Sequence, residues 1–185
     1  TFPISGTASN PPGTIYRVSV NDGSPDVTFN HPPPASFTHT FATSSCNAPP
    51  VDEYTNSFFA RIIATNPCLT SSARIVPIYV SEKPTADFTL SSNTVCTNTT
   101  VTMNSSSSVT RQVNTSGQCL PGKSVWIISP STGFSVISGS RGSDAGVNDP
   151  NLWTAGTSEL RLNFTVAGTY SIRLRTGNDN CGVSE

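Results

Sequence analysis

The stretch "IYRVSVNDGS", residues 15–24, decides the fold class of this chain. Its apolar residues Tyr16, Val18 and Val20 alternate with polar ones, so an extended segment would carry one apolar face and one polar face. Asp22-Gly23 then ends the pattern, because glycine accepts the positive φ that tight turns require. The stretch therefore predicts a half-buried β-strand followed by a turn.

The same two-residue alternation recurs along the chain, whereas the spacing typical of an amphipathic helix does not. Pro77 lies within one of these segments and predicts an edge strand or a bulge, since proline has no N–H to donate. We therefore expect an all-β protein. The further predicted strands are 37–41, 58–64 and 74–80 in the first half, and 86–90, 101–104, 125–128, 160–164 and 170–174 in the second.

The order of these segments repeats, which predicts two domains, 1–84 and 85–185. Residues 125–128 correspond to the strand at 15–20, and Leu160, Leu162 and Phe164 correspond to Phe37, His39 and Phe41. The join at 81–85 is short and polar, with one proline, and we expect it to be stiff.

The repeat also predicts that each domain lacks one strand. The first has no counterpart of the 86–90 strand, and the second has none of the 74–80 strand. On this reading the first strand of the first domain and the last strand of the second are missing. We therefore expect the chain to start and stop inside a longer array.

Composition limits the function classes. Only 11% of the residues are charged and the formal net charge is -1, which gives no electrostatic basis for binding nucleic acid. No apolar run reaches about 18 residues, so we expect no membrane insertion. Low charge, many hydroxyl side chains and five cysteines are typical of an extracellular module, where thiols can oxidise.

Four motifs together resemble the PKD domain, an immunoglobulin-like β-sandwich. They are the strand carrying Tyr16, the Asp22-Gly23 turn, His39-Thr40-Phe41, and Gly168-Thr-Tyr-Ser-Ile-Arg-Leu174. The resemblance implies two such sandwiches in tandem. Each copy departs from the pattern by a long insertion, at 42–56 in the first and 105–123 in the second.

A narrower resemblance comes from "HPPPASFTHTF" (31–41), "KPTADFTLSSNTVC" (83–96), "WIISPSTGF" (126–134) and "AGTYSIRLRTGNDNCG" (167–182). These are similar to repeats of giant gliding-motility adhesins exported by the type IX secretion system. The resemblance implies a bacterial cell-surface location and a structural or adhesive role in a long filament. Its partners would be neighbouring repeats and surface polysaccharide. The alternative is a carbohydrate-binding or spacer module of a secreted hydrolase.

Both histidines, His31 and His39, lie near Asp22 in sequence, which raises the question of a metal or acid–base site. Leu162 occupies the place of His39 in the second copy, and a Pro-rich loop separates the two histidines. We therefore expect His39 to be a packed strand residue with one side-chain hydrogen bond, and Asp22 to cap its own turn. No catalytic residue, transition metal or cofactor is predicted, and we expect no enzyme activity.

Two loop clusters and two tryptophans remain as weaker candidates. Asp144, Asn148 and Asp149 could supply oxygen ligands to calcium, as could the acidic pair at 52–53, although neither has EF-hand spacing. In an immunoglobulin-like domain Trp126 would face the core. Trp153 lies in a loop and could stack on a sugar or cover the edge of the core.

The five cysteines allow one pairing to be predicted once an immunoglobulin-like sandwich is assumed. Cys119 then lies in the B–C loop and Cys181 in the F–G loop, which share one end of such a domain, so we predict a Cys119–Cys181 disulfide. A Cys96–Cys181 bridge is the alternative, although it would have to run the length of the domain. The partners of Cys46, Cys68 and Cys96 stay open.

Overall fold

The computed structural model describes residues 1–107 and 111–185. These residues form antiparallel sheets and one 3₁₀ turn at Pro150–Leu152, and they contain no α-helix, so the described chain is all-β as predicted. It divides into two compact units. The first comprises residues 1–80 and 113–119, and the second comprises 81–112 and 120–185.

The first unit contains one large sheet, in the order β3-β2-β5-β6, and a small one made of β1 and β4. Its strands are β1 (Phe2–Pro3), β2 (Ile15–Val20), β3 (Val27–Asn30), β4 (Ser36–Phe37), β5 (Phe58–Thr65) and β6 (Thr70–Ile78).

The alternation in β2 has the predicted consequence. Tyr16, Val18 and Val20 are 1–6% exposed, whereas the intervening side chains point to solvent or are half-buried. Each of these three lies opposite an apolar residue of β5, for example Val18 opposite Ile62. This pairing of apolar rows across neighbouring strands is what fixes the register of the sheet.

Pro77 lies in the edge strand β6, as its missing N–H predicts. The register of β6 against β5 shifts between the pairs Phe58↔Ile78 and Ala60↔Ile75, so the bulge falls at residues 76–77. Both expectations for this proline, edge position and bulge, are confirmed.

The second unit has a four-stranded sheet in the order β12-β13-β8-β7 and a three-stranded sheet in the order β11-β14-β15. The remaining strands are β7 (Phe88–Leu90), β8 (Thr100–Ser105), β9 (Arg111–Val113), β10 (Cys119–Pro121), β11 (Lys123–Ser129), β12 (Phe134–Ser138), β13 (Glu159–Phe164), β14 (Ser171–Asn178) and β15 (Gly182–Ser184). Strands β9 and β10 pair with each other.

The core of the second unit lies between its two larger sheets, as in a β-sandwich. Met103 and Leu162 from one sheet and Trp126 and Leu174 from the other belong to a single cluster and are at most 2% exposed. The indole N–H of Trp126 donates to the carbonyl of Thr157 at 2.8 Å, which satisfies its one buried polar group. The predicted core position of Trp126 is confirmed.

Two sequence expectations about strands are wrong in part. The strand expected at 37–41 is reduced to Ser36–Phe37, because His39 turns instead toward the Asp22 turn. The second unit does contain the beginning of a last strand. Strand β15 pairs with β14 (Thr176 opposite Ser184), in the way that β6 pairs with β5.

The strand after the first turn differs between the units. In the first unit β3 pairs with β2, whereas in the second unit β12 leaves β11 and pairs with β13. The carbonyl of Gly133 accepts hydrogen bonds from Thr165 N–H at 2.8 Å and from the Tyr170 hydroxyl at 3.0 Å. A Cβ at Gly133 would lie 2.2 Å from that hydroxyl. This close approach joins the start of β12 to the loop between β13 and β14.

Candidate functional site

The loop at residues 42–56 is held in the first unit by backbone bonds and by one disulfide. Ser45, which is fully buried, accepts from Val80 N–H through its hydroxyl at 3.1 Å, and its own N–H donates to Val80 C=O at 2.9 Å. The next residue, Cys46, is disulfide-bonded to Cys119, with 5.6 Å between the two Cα atoms.

Cys119 reaches this position through a tight turn made by residues 113–119. The carboxamide oxygen of Asn114 accepts from the N–H groups of Ser116 and Gln118, at 3.0 and 2.9 Å. Gly117 has φ of 73°, which favours glycine, and a Cβ there would lie 2.7 Å from the carbonyl of Thr55. The sequence Asn-Thr-Ser-Gly-Gln is therefore shaped both to turn and to approach the 42–56 loop closely.

Two side chains complete the attachment of this turn. The carbonyl of Gly117 accepts from Asn56 Nδ2 at 2.7 Å and from the Thr55 hydroxyl at 3.3 Å. We call Cys46, Thr55, Asn56, Gly117 and Cys119 the loop clamp. Its disulfide spans a sequence separation of 73 residues, and in the chain-entropy account a loop of that length stabilises the folded state by roughly 4 kcal/mol.

The predicted Cys119–Cys181 disulfide is wrong. Segment 113–119 belongs to the first unit, so Cys119 meets Cys46, while Cys181 keeps a free thiol in the second unit. Burial raises the pKa of the Cys181 thiol. The signal that points to the observed pair is that each long insertion contains a single cysteine, Cys46 in one and Cys119 in the other. Residues 108–110 of the predicted 105–123 insertion lie outside the described residues.

His39 and Asp22 do lie together, as a fastening between a turn and a loop. His39 Nε2 is 2.6 Å from Asp22 Oδ2, and it is the donor because an ionised carboxylate only accepts. The other oxygen of Asp22 accepts from the Ser24 N–H at 3.1 Å and from its hydroxyl at 2.6 Å, so the predicted cap is confirmed. His31 does not join this group, since its Nδ1 lies 3.1 Å from the Tyr16 hydroxyl.

The Asp22 carboxyl titrates below its ordinary value. Burial raises its pKa, but hydrogen bonds from the Ser24 hydroxyl, from His39 and from the Ser24 amide lower it by more. The ionised form is therefore the one that the folded chain stabilises. This contribution is complete above the unfolded pKa of about 3.8 and is lost as the pH falls through the lower folded pKa.

The calcium candidates lie close together, but an arginine binds two of them. The guanidinium of Arg175 donates to Asp144 Oδ2 and to Asn148 Oδ1. Asp149 is used separately, as its carboxylate caps the 3₁₀ turn by accepting from Asn151 N–H at 3.0 Å. The amide of Gly146, outweighing burial, and the Arg175 guanidinium hold the pKa of Asp144 below its ordinary value.

The second acidic loop shows the same arrangement in the first unit. Asp52, in the 42–56 loop, pairs with Arg74 of β6. In each cluster the positive charge that a calcium ion would supply comes from a strand arginine. Within residues 1–107 and 111–185, no group of three or more His, Cys, Asp or Glu side chains could hold a metal ion.

Trp153 is buried, and it is not an open platform for a sugar. It is 3% exposed, its indole N–H donates to Val147 C=O at 2.9 Å, and the Arg175 guanidinium lies 5.0 Å from the ring centroid. The Lys123 ammonium also donates to its carbonyl. This burial favours the interpretation in which Trp153 covers the edge of the core over the one in which it stacks on a sugar.

Comparisons with protein-family models, with curated proteins and with solved structures find no match to this chain. In the described part of the chain, no helix is long and apolar enough to cross a membrane.

The contacts of Asp22 predict that the attachment between its turn and His39 weakens in acid. We expect Asp22→Asn to destabilise the first unit by about 1–3 kcal/mol near neutral pH, because the new amide cannot accept from His39 through that position. The difference from the wild type should shrink as the pH falls through the folded pKa of Asp22. The free energy of unfolding is measured at each pH by urea titration, with the NMR signals of β2 and β5 as the probe. Asp26→Asn is the matched control, since its contact with Arg17 is exposed and should contribute under about 0.5 kcal/mol. Equal effects of both variants at every pH would contradict the account.

The Arg175 contacts predict a local effect on one tryptophan. Arg175→Met removes the cation above Trp153 and leaves Asp144 Oδ2 without the donor that it has from Arg175. We therefore expect the free energy of unfolding to fall by about 1–3 kcal/mol. Fluorine NMR of chain labelled with 5-fluorotryptophan resolves the two indoles, and only the Trp153 signal should move. Arg17→Met is the control, because that side chain is 58% exposed, pairs with Asp26 and belongs to the first unit. An unchanged Trp153 signal would show that Arg175 does not cover the ring.

Proposed function

We propose that this chain is a force-transmitting structural and adhesive module of a long cell-surface filament, built from tandem immunoglobulin-like sandwiches of the PKD type. The strand orders support the fold part of this proposal. The second unit has four strands in one sheet and three in the other, with β11, β14 and β15 in the places of strands C, F and G of an immunoglobulin constant-type domain. The first unit repeats the order of those three strands as β2, β5 and β6.

The observation that carries the mechanical role is the connectivity of the loop clamp. The disulfide joins the 42–56 loop to the 113–119 turn, so a covalent route runs from residue 1 to Cys46, across to Cys119, and on to residue 185. Tension applied along the chain follows this shorter route. Strands β5 to β9 lie between the two cysteines and therefore carry no tension while the disulfide is intact.

The rest of the structure fits a module that resists extension. His39 with Asp22, and Arg175 with Asp144, fasten loops to neighbouring elements, so these residues have structural partners. The disulfide is compatible with an oxidising location such as a cell surface. Adhesion would arise from many weak contacts repeated along the filament. Its partners would be neighbouring repeats and surface polysaccharide, and the filament would serve gliding motility.

Single-molecule force spectroscopy tests the mechanical role. The chain is held at both ends and unfolded with the disulfide intact and again as Cys46→Ser, which removes it. We expect the variant to extend by roughly 250 Å more, because about 70 residues then join the tension route at some 3.3–3.6 Å each. Cys68→Ser is the control, since that free cysteine is outside the clamp and should leave the extension unchanged. Equal extensions of wild type and Cys46→Ser would contradict the proposal.

A carbohydrate-binding module of a secreted hydrolase is the alternative, and the burial of Trp153 counts against it. A glycan array probed with the whole chain separates the two. We expect weak binding without a defined sugar preference. Strong binding to one class of glycan, lost on changing a small set of exposed residues, would favour the alternative.

A further inference from the structure

Every lysine or arginine of the first unit lies on one face of its large sheet. The three are Arg17 in β2, Arg61 in β5 and Arg74 in β6. Arg17 and Arg61 alternate with residues of the buried face, such as Val18 and Ala60, and Arg74 lies directly opposite Arg61. We call this solvent-exposed side of β2, β5 and β6 the outer face. Since like charges opposite each other on neighbouring strands repel, Arg61 and Arg74 together favour a negatively charged partner.

Two of the three arginines have acidic partners within the unit. Arg17 Nε is 3.5 Å from Asp26 Oδ2, and Arg74 pairs with Asp52. Arg61 is exposed, and among the residues that the structure describes it forms no ion pair. The outer face therefore carries an uncompensated positive charge at Arg61, although the chain as a whole has a formal net charge of -1.

The outer face is open in the first unit, whereas the corresponding face of the second unit is covered. There the segment 139–157 lies against the sheet, since Trp153 is 3% exposed and a Cβ at Gly177 of β14 would lie 3.3 Å from its ring. Val125 of β11 is 2% exposed, whereas Ile15 at the corresponding place in β2 is 49% exposed. The outer face of the first unit is thus accessible to a ligand.

The second unit also shows which group an arginine of this face binds. Arg175 of β14 donates to the carboxylate of Asp144, which belongs to the covering segment. Arg173, two residues earlier on the same face, pairs with Glu185. A guanidinium suits a carboxylate because its N–H groups can donate two parallel hydrogen bonds. A carboxylate is therefore the group expected at Arg61, and the residues of the first unit supply none there.

Hydroxyl side chains surround the arginines on the outer face. By register they are Ser19, Thr28, Thr65, Thr70 and Ser72. A hydroxyl both donates and accepts hydrogen bonds, as the hydroxyl groups of a sugar do. Extended peptides bind instead at a free sheet edge, whereas the backbone groups of β2 and β5 are already paired on both sides. The face therefore favours a polysaccharide over an acidic peptide.

From these contacts we infer that the outer face of the first unit binds a polysaccharide that carries carboxylate groups, a polyuronate. One carboxylate pairs with Arg61, and the sugar hydroxyls bond to the serine and threonine side chains around it. The inference rests on the adhesive role proposed above for its choice of a polysaccharide, and it adds the charge class of that ligand. The preference is for the charge and not for one sugar, which agrees with weak contacts repeated along a filament.

Titration of the whole chain with a short oligogalacturonate, followed by NMR, tests the inference. We expect weak, saturable shifts of signals from β2, β5 and β6 that diminish as salt is added, because salt screens exposed charges. The methyl ester of the same oligosaccharide, which lacks the charge, should bind at least about tenfold more weakly. Absence of saturable binding, or equal binding of the ester, would overturn the inference. If poly-L-glutamate binds more tightly than the oligogalacturonate, the ligand is an acidic peptide and the inference is wrong.

Three chain variants locate the binding. Arg61→Gln removes the charge and should weaken binding at least about fivefold. Arg61→Glu places a carboxylate opposite Arg74, so it should abolish binding and raise the urea midpoint of the first unit. Arg161→Gln is the matched control, because Arg161 is also an exposed strand arginine, but Thr102 and Ser138 lie opposite it. Binding by Arg61→Gln that equals that of the wild type would place the ligand elsewhere and contradict the inference.

Failure of this inference and failure of the proposed function give different results. If the ester binds as tightly as the acid and Arg61→Gln has no effect, adhesion takes place without the outer face, and only the inference fails. The extension measured for Cys46→Ser does not depend on Arg61, so a failure of the mechanical role is seen in that experiment alone.

Discussion

The covalent bond between Cys46 and Cys119 determines where the 113–119 turn lies. That turn is polar apart from Val113, which is 2% exposed, so it has little apolar surface with which to hold itself in place. The disulfide closes the long loop already in the unfolded chain, so most of the entropic cost of that closure is removed from folding. The hydrogen bonds from Thr55 and Asn56 to Gly117 can then hold the turn against the 42–56 loop. A segment that follows β8 of the second unit thereby becomes part of the first unit.

Several of the scarce charged residues of this chain fasten loops. Arg175 and Arg74 project from strands and each binds an acidic side chain of a long loop, Asp144 in one unit and Asp52 in the other. His39 does the same for the turn at Asp22. In a chain with 11% charged residues, loops low in apolar content depend on such contacts because they have no core of their own. These clusters resemble metal or acid–base sites in the sequence because acidic side chains are gathered in the loops that they hold.

The parts of the fold that depend on local pattern could be predicted from sequence. The strand at 15–20 and its equivalent β11, the corresponding pair β5 and β14, and the bulge at Pro77 follow from alternation and from the chemistry of proline. The strand expected through His39 fails because one hydrogen bond to Asp22 outweighs the local alternation. Alternation reports only on neighbouring residues, so it cannot predict a contact between His39 and a residue as distant in sequence as Asp22.

The cysteine pairing failed for a related reason. The expectation assumed that each insertion folds back on its own domain, and under that assumption Cys119 can meet Cys181 but not Cys46. The positive φ at Gly117 and the capping by Asn114 are readable as a turn in the sequence, but the surface against which the turn packs is not. The calcium candidates are likewise readable as a cluster in the sequence, but Arg175, which lies 31 residues after Asp144 and binds both Asp144 and Asn148, is not readable as their partner.

Peptide mapping under non-reducing conditions, after alkylation of free thiols, tests the central claim most directly. The account predicts a linked pair of peptides containing Cys46 and Cys119, with Cys68, Cys96 and Cys181 alkylated. A Cys119–Cys181 link, or alkylated Cys46 and Cys119 in chain purified under oxidising conditions, would contradict it.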